Sequence, residues 1–256
     1  MSNSSEIGAF YQCYKQPKAF LHAINSYRHY YPDGDLIVVS DGGYNYSHIV
    51  SELKGNYVHE EQTGNGVMLQ FNTIEKASTF IRRFLAASKK ISQDYFILLE
   101  DDVVIFDRVS DSTKVADVVG CNRTGTFRSY RMKDAEGMHS NLKKYCKIDN
   151  PSVGGCGGSL FRTDFFKNLE FNVDEVLAEY SEYDPDFYSD ILLSYITWRF
   201  GGSIIGPVPE LGETNIMSWD SMVKNGEIKV LHQSKWNYDK PLTEEEKKML
   251  GNDNIV

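Results

Sequence analysis

Short apolar runs alternate with helix-length segments in the first hundred residues, and this alternation most strongly limits the possible folds. The runs lie at residues 7–13, 36–39 and 95–99, and helical patterns begin at Pro17 and span residues 73–90. The run at 36–39, LIVV, is continuous, as expected for a strand buried on both faces of a sheet. Strands that alternate with helices predict a mainly parallel central sheet flanked by helices, which is an α/β fold.

The length and composition are those of an ordinary globular protein. The chain has 256 residues, of which 41% are hydrophobic and 25% are charged, so disorder is not expected to dominate. We expect a single domain over residues 1–256, with a first half at about 6–106, a second half at about 107–240 and a C-terminal helix or tail at 241–256. No apolar run approaches the roughly 18 residues of a membrane span. Residues 1–6 lack the apolar core of a secretory signal, so we expect a cytoplasmic location.

The charged residues and the cysteines narrow the range of ligands. Lys and Arg number 27 against 36 Asp and Glu, and the formal net charge is -9. Since an acidic chain binds nucleic acids and anionic membranes poorly, we expect neither as a partner. A phosphate-bearing ligand would need a local cation to offset the repulsion. The four cysteines have no zinc-binding spacing and are interpreted as small buried thiols: Cys13, Cys121, Cys146 and Cys156.

Polar residues lie at the carboxyl ends of three of the predicted strands. They are Tyr11 with Gln12, Ser40 with Asp41, and the acidic triplet at 100–102. Because ligands of parallel sheets bind beyond the carboxyl ends of the strands, we expect these residues to converge on one crevice. Neither GxGxxG nor GxxxxGK[ST] follows the first strand, which argues against a dinucleotide-dependent dehydrogenase and a P-loop NTPase.

The acidic triplet, in the stretch LLEDDVVIF, is the strongest local signal of chemistry. In extended backbone, Glu100 and Asp102 point to one side and Asp101 points to the other. Carboxylates at the end of a buried strand are unfavourable unless a cation joins them, and they suit Mg²⁺ or Mn²⁺. The alternative interpretation is a strand end that is simply solvated.

Two later segments add candidate residues of the same kind of site. His232 follows a predicted strand and offers a ring nitrogen to a metal, and Lys235 is a candidate phosphate-binding cation. Asp190 lies near a predicted helix start, where the helix dipole stabilises a carboxylate, and it is a candidate general base. Asp184 and Asp186 are rivals for that role. The alternatives are a surface His and Lys, and a plain helix-capping acid.

A glycine-dense segment, residues 154–158, precedes another predicted strand. Gly155 and Gly157 are among its four glycines. Glycine allows the backbone to approach a ligand closely, and the alternative interpretation is a flexible turn.

Taken together, these residues resemble the GT-A class of nucleotide-sugar glycosyltransferases. The order along the chain is similar: an α/β half, an acidic triplet, a glycine-rich strand entry, an acid that leads a helix, and a late histidine. EDD stands where that class has an Asp-x-Asp motif. The resemblance implies that Asp102 binds the metal that bridges the donor diphosphate, with Glu100 or Asp101 near the ribose. It also implies a GT-A-like, Rossmann-like fold with a smaller acceptor-side sheet.

The resemblance assigns further roles. The stretch SDILLSYITWRFGG looks like the acid-x-x-Leu-Ser helix of the class, which makes Asp190 the catalytic base. HQSKW resembles the His and Lys that close over metal and diphosphate, so His232 becomes a metal ligand and Lys235 a donor-binding residue. The remaining donor-binding residues implied are Tyr11, Gln12, Asp41, Asp101, Gly155 and Gly157.

The function implied is a glycosyltransferase that uses Mn²⁺ or Mg²⁺. It would move a sugar from a nucleoside-diphosphate sugar, UDP favoured over GDP, to a hydroxyl acceptor such as a glycan, with Asp190 as base if the reaction inverts. Two alternatives stay open. A sugar-1-phosphate nucleotidyltransferase usually has a glycine-rich loop after the first strand, which residues 11–17, YQCYKQP, do not match. A non-catalytic nucleotide-sugar-binding module would keep the fold without the turnover.

Overall fold

The computed structural model of the chain describes residues 6–14, 16–60, 70–120, 127, 132–213, 225–232, 243–244 and 247. The strands are β1 (Gly8–Cys13), β2 (Leu36–Asp41), β3 (Asn56–Glu60), β4 (Gln70–Phe71), β5 (Tyr95–Leu99), β6 (Val104–Ile105), β7 (Val118–Val119), β8 (Leu160–Arg162), β9 (Phe187–Tyr188), β10 (Ile204–Ile205), β11 (Leu211–Glu213) and β12 (Val230–His232). The α-helices are α1 (Pro17–Tyr30), α2 (Ser47–Glu52), α3 (Ile74–Ser88), α4 (Ala135–Leu142), α5 (Thr163–Lys167), α6 (Val173–Ser181) and α7 (Ser189–Arg199).

A seven-stranded sheet, in the order β10-β7-β8-β5-β1-β2-β3, is the centre of the fold. The block β5-β1-β2-β3 is parallel, and so is the β10-β7 pair. β8 runs antiparallel to both β5 and β7. The predicted α/β fold with a mainly parallel sheet is confirmed. Because β8 is antiparallel to β5, it begins at the edge of the sheet where β5 ends, and the residues just before β8 lie next to the residues just after β5.

Apolar side chains cover both faces of this sheet. On one face, α3 packs Phe84 against Phe10 of β1 and Phe96 of β5, with ring centroids 5.9 and 5.2 Å apart. On the other face, Phe20 of α1 stacks between Tyr11 and Tyr46. Because both faces are buried, the central strands are apolar throughout, which is why their sequences read as continuous hydrophobic runs.

Two smaller sheets carry chain segments toward the end of β5. In one, β12 lies between β11 and β6 and is antiparallel to β6, with Leu231 opposite Val104. In the other, β4 pairs with β9, so Tyr188 stands opposite Gln70. None of the described helices is long and apolar enough to cross a membrane.

The local sequence signals locate most helix starts correctly. Pro17 occupies the first turn of α1, where its missing N–H is not needed. Thr73 caps α3 by accepting from the backbone N–H of Lys76 at 3.3 Å. α4 was not predicted, although Asp134 caps it by accepting from the N–H of Gly137 at 2.8 Å. The predicted C-terminal helix lies largely outside the described residues.

One predicted helix begins later than its sequence suggests. The pattern at residues 184–200 favours a single helix, but α7 begins at Ser189. The two residues before it are extended because they pair with β4, so a tertiary contact overrides the local pattern. The late start puts Asp190 in the first turn of α7.

Candidate active site

The three adjacent acids after β5 divide between two directions. Glu100 and Asp102 face His232, whose Nε2 lies 3.3 Å from Glu100 Oε2 and 3.6 Å from Asp102 Oδ1. Asp101 faces the interior, where it accepts a hydrogen bond of 2.5 Å from the hydroxyl of Tyr11. Asp101 thus points away from its two neighbours, although residues 101 and 102 lie in a turn rather than in the extended backbone that the sequence predicts, and the N–H of Val103 closes this turn by donating to the oxygen of Glu100 at 3.0 Å.

His232 reaches this cluster through strand pairing. β12 runs antiparallel to β6, and the pairing of Leu231 with Val104 brings the next residue along β12 toward Asp102. Burial by itself lowers the pKa of His232, but hydrogen bonds to Cys156 and Glu100 outweigh burial, and the pKa lies well above its usual value. The surroundings of His232 thus favour a positive charge on its ring. Cys156, predicted as a small buried thiol, is only partly buried and contacts His232, and no pattern in the sequence indicates this contact.

The cluster fits a hard divalent cation. Glu100, Asp102 and His232 each offer one ligand atom, and these atoms all lie within 4.8 Å of one another. His232 is 5% exposed, and the side chains of Glu100 and Asp102 are 18% and 24% exposed. Two carboxylate oxygens and one imidazole nitrogen suit Mn²⁺ or Mg²⁺ better than a metal that prefers thiolates.

The buried acid of the triplet has a different environment. Burial raises the pKa of Asp101, the hydrogen bond from Tyr11 lowers it, and the neighbouring Asp102 and Glu100 raise it again, with the result at about 7. Tyr11 is fully buried and stacks on Phe20 at 5.6 Å. The structure places Tyr11 and Asp101 as partners of one another, and their predicted donor-binding roles stay predictions.

Asp190 lies in the electrostatic field of the cluster. Its Oδ1 accepts a hydrogen bond of 2.9 Å from the backbone N–H of Ile191. Burial raises its pKa, the Ile191 N–H lowers it, Glu100 raises it and His232 lowers it, with the result at about 6. The rival acid Asp184 is held in the preceding turn, where its Oδ1 accepts from the backbone N–H of Asp186 at 3.1 Å.

The glycine-dense segment packs between α7 and the cluster. A Cβ on Gly155 would lie 2.9 Å from the backbone oxygen of Asp190, and a Cβ on Gly157 would lie 2.7 Å from Glu100 Cδ. The backbone N–H of Gly154 donates to Ser194 Oγ at 2.9 Å, and Ser194 Oγ donates to the oxygen of Asp190 at 2.6 Å. These glycines are therefore explained by close approach to site residues, and their predicted contact with donor stays a prediction.

A buried ion-pair network joins the ends of the first strands. Nη1 of Arg83 donates to Gln12 Oε1 at 3.0 Å and to Asp41 Oδ1 at 2.9 Å. Nε of Arg83 donates to Glu60 Oε2 at 2.8 Å. Gln12 and Asp41, both predicted donor-binding residues, are thus brought together. Asp41 is the last residue of β2, although the sequence pattern placed it in the following loop.

One predicted residue cannot be placed against this geometry. Lys235 lies outside the described residues, which in this region end at His232.

Comparison with known proteins identifies the architecture. No family profile matches the sequence, and no curated protein is significantly similar to it. The fold matches the galactosyltransferase LgtC, solved in complex with donor and acceptor sugar analogues, with a TM-score of 0.55 at 10% identity over 95% of this chain and 100% of LgtC. It also matches the bifunctional glycosyltransferase WbbM, with a TM-score of 0.52 at 11% identity over 98% of this chain and 50% of WbbM. The chain therefore has the GT-A fold of these glycosyltransferases.

Proposed function

We propose that this protein is a metal-dependent glycosyltransferase. It transfers a sugar from a nucleoside-diphosphate sugar, with UDP favoured, to a hydroxyl group of an acceptor glycan. One observation carries the proposal: Glu100, Asp102 and His232 meet after the carboxyl end of β5, with ligand atoms within 4.8 Å of one another, which is close enough to hold a cation. The charges of Glu100 and His232 also influence the pKa of Asp190. In an open α/β sheet this edge is where ligands bind.

Glu100, Asp102 and His232 are the residues that would hold Mn²⁺ or Mg²⁺. When bound, the ion neutralises the negative charge that grows on the leaving diphosphate. The net charge of -9 supports this assignment, because the protein otherwise repels an anionic donor. Gln12 and Asp41, at the ends of β1 and β2, are proposed to bind the nucleoside.

Asp190 is proposed to act on the acceptor. A pKa of about 6 leaves the carboxylate ionised at neutral pH yet basic enough to take a proton. In an inverting reaction it accepts the proton of the acceptor hydroxyl. That oxygen bonds to the anomeric carbon as the bond from this carbon to the diphosphate breaks. In a retaining reaction Asp190 instead orients the sugar.

Calorimetric titration with UDP and with GDP, each with and without Mn²⁺, tests the proposal. We expect one nucleotide to bind only with the metal, and we expect the matching sugar donor to hydrolyse slowly. Absence of binding under all four conditions would refute the proposal. Nucleotide binding of equal strength with and without Mn²⁺, together with no donor hydrolysis, would favour a binding module. Release of diphosphate from a sugar 1-phosphate and a nucleoside triphosphate would favour a nucleotidyltransferase.

A further inference from the structure

The guanidinium of Arg83 is buried where three parallel strands end. It arrives from α3, which begins at the carboxyl edge of the sheet because it leads into β5. Side chains of a helix tilt toward its N-terminus, so Arg83 extends toward that edge. There it contacts Gln12 of β1, Asp41 of β2 and Glu60 of β3. Arg83 is 7% exposed, and Asp41 is fully buried.

This contact fixes the orientation of the Gln12 amide. Arginine has only hydrogen-bond donors, so the amide oxygen of Gln12 must face Arg83 and the amide nitrogen must face away from it. Gln12 is 4% exposed, and its Nε2 has no hydrogen-bond partner in the described part of the chain. A buried donor without a partner is unfavourable, and a hydrogen-bond acceptor of a ligand would satisfy it.

The same contact compensates the charge of Asp41. A fully buried carboxylate is strongly disfavoured unless it is paired and hydrogen-bonded. Arg83 supplies a pairing at 2.9 Å, and Glu60 anchors the other side of the guanidinium through Nε. The arginine therefore holds a polar pair, Gln12 and Asp41, in one orientation.

We propose that Arg83 is the positioning residue of the nucleoside subsite: it holds Gln12 with the amide nitrogen turned away from the guanidinium, where it can donate to an acceptor atom of the nucleoside. The inference rests on the proposed function, because it assumes that a nucleotide donor binds beyond β1 and β2. Arg83 acts through Gln12 and Asp41 and does not itself touch the donor.

Substitution of the two neighbouring arginines of α3 tests this role. Arg83→Met removes the guanidinium, and Arg82→Met is the matched control, since the side chain of Arg82 is 56% exposed and pairs with Asp174 on the surface. We expect Arg83→Met to weaken binding of UDP or GDP on the order of tenfold or more. The affinity for Mn²⁺ alone should not change, and Arg82→Met should behave as the wild type.

A double-mutant cycle tests whether Arg83 affects nucleotide binding through Gln12. In a Gln12→Met background, Arg83→Met should cause a much smaller additional loss of nucleotide affinity, because the two residues act as a unit. If Arg83→Met does not fold, Arg83→Lys and Glu60→Gln replace it, and each should weaken nucleotide binding while Mn²⁺ binding persists.

The outcomes separate this inference from the proposed function. If the wild type binds no nucleotide, the proposed function fails. If the wild type binds and a folded Arg83 variant binds equally well, or loses Mn²⁺ and nucleotide binding in parallel, the positioning role is overturned.

Discussion

At the scale of single residues, neighbours in sequence have different environments because the turn after β5 points their side chains in different directions. Glu100 and Asp102 lie beside His232 in a cluster that could hold a cation, whereas Asp101 between them is hydrogen-bonded to a buried tyrosine. The sequence predicts this division from the alternation of side chains along extended backbone, but the backbone is wrong in that prediction, because residues 101 and 102 lie in a turn. It does not predict the partner of Asp101, because Tyr11 is 90 residues away along the chain.

Substitution of Asp102 tests whether this carboxylate binds a metal ion. Asp102→Asn should abolish detectable Mn²⁺ binding in calorimetry and abolish metal-dependent turnover, because the amide supplies a weaker, uncharged oxygen. Asp107→Asn is the matched control, because Asp107 is paired with Lys229 at 2.7 Å on the surface. Metal-dependent turnover that survives Asp102→Asn would contradict the assignment.

The raised pKa of Asp190 predicts how the stability of the folded protein changes with pH. Its pKa is about 6 in the folded protein and 3.8 for the unperturbed group. Its ionisation therefore opposes folding: this penalty is absent well below pH 3.8, grows as the pH rises, and is complete above pH 6. Asp190→Asn removes the penalty, so this variant should be more stable than the wild type by up to about 3 kcal/mol at pH 8, and by less at pH 5.

The measurement is chemical unfolding at both pH values with EDTA present. Asp186→Asn is the control variant in the unfolding measurement, because Asp186 is exposed and lies just before β9. A stability difference between Asp190→Asn and the wild type that does not grow from pH 5 to pH 8 would argue against a penalised carboxylate. Loss of turnover in the more stable variant would agree with a catalytic role.

At the scale of elements, the glycine-dense segment and α7 form one unit beside the cluster. The N–H of Gly154, the hydroxyl of Ser194 and the backbone oxygen of Asp190 are joined in a chain of hydrogen bonds. The sequence predicts that the glycine-rich backbone of residues 154–158 can closely approach another group. The surfaces that these glycines approach depend on packing between segments far apart in the chain.

Two alanine substitutions in this segment should have different effects. Gly155→Ala places a Cβ against backbone of α7, which cannot move alone, so stability should fall by about 1–3 kcal/mol. Gly157→Ala places a Cβ against the Glu100 side chain, so Mn²⁺ affinity should fall more than stability. Unfolding midpoints and calorimetry distinguish the two effects. Equal effects of both substitutions on Mn²⁺ affinity would contradict this packing.

At the scale of the whole molecule, sheet topology assembles the site from distant segments. β8 runs antiparallel to β5, so the chain enters β8 at the carboxyl end of β5, and the N–H of Gly158 donates to the oxygen of Leu98 at 2.8 Å. β12 returns from the C-terminal part of the chain to pair with β6. A cation bound by Asp102 and His232 would therefore tie together parts of the chain separated by 130 residues.

This arrangement predicts that metal stabilises the whole fold. Binding to the folded state alone stabilises a protein by about 2.7 kcal/mol at one hundred times the dissociation constant. For a chain of this size, saturating Mn²⁺ should raise the unfolding temperature by roughly 5–10 °C, and EDTA should reverse the shift. The shift should be absent in His232→Ala, and a shift of wild-type size in that variant would place the metal elsewhere.

The sequence by itself determined the α/β class, the positions of the main strands and helices, and the identity of the acids that end β5. Each of these follows from local patterns, because apolar periodicity and capping residues act within a few positions of the chain. Tertiary structure alone decided the late start of α7, the pairing of Tyr11 with Asp101, and the burial of Arg83 while its neighbour Arg82 is exposed. These outcomes depend on which segments pack together, and a local pattern carries no information about a partner that lies many residues away.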